Sequence, residues 1–225
     1  MSNSIKRAVV IGATGLVGLK LVNLLNNLSD CEYIRVIVRR ENEAIKRLTK
    51  VEQMVVDDFL MLNDQDVDGF SHAFSCLGTT IKKAGSKQNF YNIDFEINAH
   101  FADLFEEKNT HFLLVSAHGA DAKSIFFYNQ VKGQLEDHLK QSSLEKVSII
   151  RPSLLLGERA ESRVLEDLSQ SIFKRISHFT PKSFKYKPVT ADQVAHTMVV
   201  VAQSQTEKFR IYDNLQIQNT KIEGF

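Results

Sequence analysis

Cysteine is scarce in this chain. Cys31 and Cys76 are the two among 225 residues, each lies inside an apolar stretch, and no CxxC spacing exists. A structural disulfide is therefore not expected, and reduced thiols in a cytosolic protein are. An excess of either charge is also missing. Lys plus Arg number 28 against 27 Asp plus Glu, a net charge of +1, so no global field draws the chain to nucleic acid or to anionic lipid. No apolar run reaches membrane-spanning length. The start, MSNSIKRAVVIGATG, passes straight into an apolar strand without the long apolar segment of a signal peptide. The seven histidines show no HExxH or related spacing, so no metal site is expected. Repeats, low-complexity tracts and an obvious linker are absent too. The length then suits one large domain over residues 1 to 225, able to bury a sizeable core.

What is present is alternation. Apolar runs rich in β-branched residues stand at 8 to 11, 33 to 38, 51 to 56, 72 to 77, 111 to 116 and 147 to 150, with helical periodicity between them at about 15 to 28, 89 to 108 and 124 to 142. Strands apolar on both faces and joined by long helices predict an α/β fold, a doubly wound parallel sheet with helices on both sides. After Pro152 the pattern becomes polar, with a helix expected near 163 to 177. The stretch TADQVAHTMVVVA then predicts a helix capped by Thr190, with Val194, Met198 and Val201 on its buried stripe. Residues 151 to 189 are expected to form a small segment covering the carboxyl end of the sheet, where open α/β sheets bind ligands.

GATGLVG at 12 to 18 places three of the ten glycines between the first strand and the first helix. Glycine permits a tight turn and close approach to a pyrophosphate, while free N–H groups at a helix start attract negative charge. Gly12, Thr14, Gly15, Leu16 and Val17 are accordingly expected at a dinucleotide. Where an NAD-preferring site usually carries an acid after the second strand, this chain has Arg39 and Arg40. Two guanidiniums suit a 2′-phosphate, so NADP(H) is expected over NAD(H). The third and fourth strands end in VVDDF and CLGTT, which puts Asp58 and Phe59, then Leu77, Gly78 and Thr79, beside the same crevice. Asp58 would bond the adenine amino group or simply cap a helix, and Gly78 could belong to an ordinary loop.

Residues 126 to 133 read FFYNQVKG. If helical, they set Tyr128 and Lys132 on one face, either as a catalytic acid and its helper or as plain helix surface. Ser116 ends the fifth strand twelve positions earlier, so a short loop would bring both hydroxyls to one substrate oxygen.

Taken in order, GATGLVG, CLGTT, Ser116, the YNQVK run and RPSLLLG resemble the short-chain dehydrogenase/reductase superfamily in its atypical members, and most closely the Tat-interacting oxidoreductase family. The resemblance spans nearly the whole chain. It implies a Rossmann-type domain, NADPH as cofactor, and Ser116, Tyr128 and Lys132 as the catalytic group, with Lys132 also on the cofactor ribose. Standard members add an asparagine from the helix after the fourth strand, for which Asn92 and Asn98 are both candidates. Ser153, after the sixth strand, is a further cofactor candidate.

The expected reaction is hydride transfer between nicotinamide and a small carbonyl or alcohol, with Tyr128 as general acid. A nucleotide-sugar epimerase or dehydratase is the less favoured alternative, since only about 75 residues follow the sixth strand, little for a sugar domain. A non-catalytic, NADPH-responsive interaction protein is the other, which keeps a protein partner open. Lys82, Lys83 and Lys87, with Lys182, Lys185 and Lys187 around Phe184 and Tyr186, read as solvated loops or as an anion-binding surface. A homodimer would use an exposed face of the 89 to 108 or 124 to 142 helix.

Overall fold

A computed structural model describes residues 4 to 156 and 186 to 220. The helix expected near 163 to 177, together with Lys182, Phe184 and Lys185, lies outside the described residues. Among the described residues, seven parallel strands form one sheet: β1 (Arg7–Ile11), β2 (Tyr33–Val38), β3 (Val51–Val55), β4 (His72–Ser75), β5 (His111–Val115), β6 (Lys146–Ile150) and β9 (Phe209–Tyr212), in the order β3-β2-β1-β4-β5-β6-β9. Two short strands, β7 (Leu155–Leu156) and β8 (Val189–Thr190), pair separately.

The doubly wound arrangement follows from how β1 divides its side chains. Ala8 and Val10 enter one core cluster, and Val9 and Ile11 enter the other, because successive strand residues face opposite sides. Helix α1 (Leu16–Asn27) and helix α7 (Ala191–Ser204) cover the first side through Leu21, Leu25, Val194 and Met198. Thr190 accepts from the Gln193 N–H while Gln193 reaches back to the Thr190 N–H, a reciprocal cap that starts α7 where the sequence predicts. Helices α5 (Ile97–Asp103) and α6 (Phe127–Gln141) cover the second side with Phe101, Leu135 and Leu139. Each such buried side chain is worth roughly 1.5–3 kcal/mol of transfer free energy.

Between the strands and these long helices stand short helices α2 (Glu43–Lys46), α3 (Ile81–Ala84) and α4 (Lys87–Tyr91), and α8 (Asn214–Asn219) closes the described chain. The single helix expected over 89 to 108 is instead three pieces: α4, a π-helical turn at Asn92–Glu96, and α5. Within the π turn the Ile97 N–H bonds the carbonyl of Asn92, five residues back. The Asn98 side chain locks it, its Nδ2 donating to the Ile93 carbonyl at 2.9 Å. Apolar periodicity cannot report one inserted residue of this kind. Strand β9, only four residues long and alternately half-buried, also carries too weak a pattern to be read in advance.

Candidate active site

The sheet reverses its strand order between β1 and β4, and a cavity of about 600 Å³ opens there at the carboxyl ends of the strands. The glycine loop forms its floor. Gly12 has φ +73°, and a Cβ on it would sit 2.4 Å from the backbone carbon of Cys76; a Cβ on Gly18 would sit 2.2 Å from the Gly12 carbonyl oxygen. Both positions therefore demand glycine for packing of loop on strand and helix on loop. Gly15 is the residue preceding α1 and has no side chain with which to cap it, so the first N–H groups of α1 have no cap and are available to an anion. Val17 is buried in the core and Leu16 packs against it while partly exposed.

Gly12, Thr14, Phe59 and Leu77 line this cavity, and Arg39 and Arg40 close its far side with Glu41. Glu41 is ion-paired to Lys46 at 3.2 Å. Asp58 does not line the cavity: its carboxylate accepts from the Leu60 N–H at 2.9 Å and caps the short helix at Phe59–Met61. Its neighbour Asp57 lines the cavity instead. Ser153 sits at the joint with β8, its hydroxyl donating to the Lys187 carbonyl at 2.9 Å and its N–H to Asn214 at 2.9 Å.

Around the CLGTT turn a second cluster assembles. Lys132, 3% exposed, lies with its Nζ 2.7 Å from Oδ1 of Asp94, which is fully buried. The other carboxylate oxygen of Asp94 accepts from the Thr79 N–H at 2.9 Å. Gly78 covers the pair so closely that a Cβ there would stand 3.2 Å from Asp94 Oδ1 and 3.5 Å from Lys132 Nζ. Tyr128, one helical turn before Lys132, is half-buried and packs on Phe90 with ring centroids 5.5 Å apart. The thiol of Cys76, in the same turn, is pushed up to about 12 by burial, so it remains a neutral thiol rather than a nucleophile.

Ser116 belongs to a third, adjoining cluster. Its hydroxyl donates to Glu136, whose carboxylate also receives Arg151 Nε at 3.0 Å to each oxygen and a further bond from Nη2. Glu136 follows Lys132 by four residues, so Tyr128, Lys132 and Glu136 run along one face of α6. Of the two asparagine candidates, Asn92 is exposed and accepts from Gln88 at 2.9 Å, whereas Asn98 is fully buried and bonded to Ser75. Sequence reasoning missed Asp94 and Glu136. The spacing of four from Lys132 signals Glu136, but nothing in the local pattern marks Asp94, which lies two residues from Asn92 and is the buried residue of the π turn.

Residues 7–92 match the family described as semialdehyde dehydrogenase, NAD binding domain. Protein FMP52-1, mitochondrial, of Scheffersomyces stipitis is 35% identical over 204 residues, covering 89% of this chain and 90% of that protein. Protein FMP52, mitochondrial, of Candida albicans is 33% identical over 202 residues and 86% of each chain. Among solved structures, UDP-glucuronic acid 4-epimerase from Bacillus cereus with NAD superposes with a TM-score of 0.67 at 11% identity, over 92% of this chain and 78% of that one. The human epimerase family protein SDR39U1 with NADPH gives 0.62 at 13%, over 93% and 77%. These structural likenesses show the fold, which is of the Rossmann type. The relatives' names overturn the cytosolic expectation and point to the mitochondrion: two unpaired cysteines speak against a disulfide-built secreted protein and do not separate cytosol from mitochondrion. By its identity with these relatives along most of both chains, the protein belongs to the FMP52 family.

Proposed function

We propose that the protein is an NADP(H)-dependent mitochondrial oxidoreductase of the carbonyl reductase type, acting on a small carbonyl or alcohol. The observation that carries this reading is the position of Lys132: a lysine buried against Asp94 beneath Gly78 and Thr79, one turn from a half-buried Tyr128 that stays within reach of a ligand.

The cavity residues fit the cofactor. The glycine loop and the uncapped start of α1 suit a pyrophosphate, and Arg39 and Arg40 suit a 2′-phosphate better than a bare hydroxyl. When bound, the nicotinamide supplies or accepts the hydride. Tyr128 donates its phenolic proton to the carbonyl oxygen as the carbon is reduced, and takes it back from the alcohol in the reverse direction. The Lys132 ammonium, one turn away, stabilises the phenolate left behind. Ser116, whose proton is held by Glu136, serves in this reading as a wall of the substrate site rather than as a donor.

The test is reduction of a panel of aldehydes and quinones followed by NADPH absorbance, with Tyr128→Phe beside the wild type. The variant should bind NADPH as the parent does and lose turnover by about 100-fold or more. Turnover that survives Tyr128→Phe would remove the tyrosine mechanism.

A second reading is favoured by one observation. The Ser116 hydroxyl already donates to Glu136, so it has no proton free for a substrate carbonyl. A protein that binds NADPH in order to engage a protein partner needs no such proton. Tight NADPH binding with no turnover across the panel would select that reading.

A further inference from the structure

Asp94 is a fully buried acid brought to the cleft by a specific piece of backbone engineering. Ser75 at the end of β4 bonds the Asn98 side chain, and Asn98 holds the Ile93 carbonyl at 2.9 Å. That bond accompanies the π turn at Asn92–Glu96, which packs against α6. A π turn re-aims the side chains it carries relative to a regular helix, and such turns recur at functional sites. Here the residue delivered is Asp94, with one oxygen on the Thr79 N–H and the other 2.7 Å from Lys132 Nζ. The second oxygen is close enough for strong attraction yet has no aligned hydrogen bond.

We propose that Asp94 is the positioning residue of this site, holding Lys132 as an ammonium beside Tyr128 in the part that the family resemblance assigns to an asparagine. Asn92 points to solvent and Asn98 is consumed in supporting the turn, so neither is placed for that part. A buried lysine without a compensating charge tends to lose its proton; the carboxylate of Asp94 opposes that loss. The other groups near Lys132 do not substitute for it. Tyr128 is a phenol, Glu136 is taken up by Arg151 and Ser116, and the CLGTT turn offers the backbone N–H of Thr79. The proposal rests on reading Tyr128 and Lys132 as the catalytic pair, but the state of Lys132 can be observed whether or not that reading survives.

The experiment is a pH titration of the full chain labelled with 13Cε-lysine and observed by NMR, with Lys132→Met used to assign the Lys132 signal. Asp94→Asn should move the Lys132 titration to lower pH by about one unit or more, and Asp94→Glu should restore it. Asp94→Ser, which leaves room for water beside the ammonium, reads the same shift should the asparagine variant not fold. An unchanged Lys132 titration in a folded Asp94→Asn or Asp94→Ser protein overturns the proposal. A shifted titration in a protein without any turnover leaves Asp94 in its role and removes only the reductase reading.

Discussion

The hydroxyl of Ser116 donates to the carboxylate of Glu136, which Arg151 clamps from its other side. With its proton given to Glu136, Ser116 has none to offer a substrate carbonyl. Ser116→Ala is therefore expected to lower turnover by about tenfold or less, against the far larger loss in Tyr128→Phe. Steady-state kinetics on the two variants with one substrate checks the order.

Removing Glu136 leaves a different mark. Glu136→Ala strands the Arg151 guanidinium, 28% exposed, and the buried Ser116 hydroxyl. Breaking a buried pair costs about 3–5 kcal/mol when both ions are enclosed, and the partial exposure of Arg151 reduces this to about 2 kcal/mol. Urea denaturation should show a lower midpoint with an unchanged slope.

Cofactor choice should depend on the two arginines at the edge of the cavity. Arg39→Ala and Arg40→Ala are each expected to weaken NADPH by about tenfold, the size of one charge-assisted hydrogen bond, while NADH affinity stays nearly constant. Fluorescence titration with both cofactors reads the ratio. Equal losses for the two cofactors would mean that the arginines do not meet a 2′-phosphate.

The glycine loop predicts a stability effect alongside a binding one. A methyl group on Gly12 would lie 2.4 Å from backbone at Cys76 and Leu77, and the left-handed backbone there costs about 1–2 kcal/mol for any other residue. Gly12→Ala should therefore melt at lower temperature and fail to bind NADPH. Gly69, also left-handed but with nothing within 4 Å of an added Cβ, should tolerate alanine with only the backbone cost. Thermal melts of the pair separate clash from conformation.

At the opposite end of the sheet, His72 and His111 pack on neighbouring strands with ring centroids 5.6 Å apart. Burial lowers His72 to about 4 and His111 to about 3. Between these values and about 6.5, the unfolded chain binds protons that the folded chain refuses. Stability should thus fall as pH drops below about 6.5, by about 1.4 kcal/mol per pH unit for each histidine. Urea midpoints between pH 7 and 4.5 test this, and His111→Gln should flatten the slope.

Much of the site was legible before the fold was. The six apolar runs became six adjacent parallel strands, largely buried and apolar in five of them, while β3 at the sheet edge has no buried residue and still pairs with β2. The glycine loop landed between β1 and α1 because only glycine tolerates that approach. Arg39, Arg40, Phe59 and Leu77 reached one cavity because all follow strands whose carboxyl ends share an edge. Asp58 stayed open in the sequence, since an acid before a helix can cap it or face a ligand, and its neighbour Asp57 turned out to line the cavity.

Period and spacing are local properties of a chain, and they are enough to set the parallel sheet, the order of its first six strands along the chain, and the face of α6 shared by Tyr128 and Lys132. Tertiary structure decided which acid meets Lys132, which hydroxyl is already engaged, and where a helix inserts one extra residue. Those depend on contacts between residues far apart in the chain: Asp94 with Lys132, Ser116 with Glu136, and Ser75 with Asn98. No local pattern encodes them, since each is set by how separate helices are seated on the sheet.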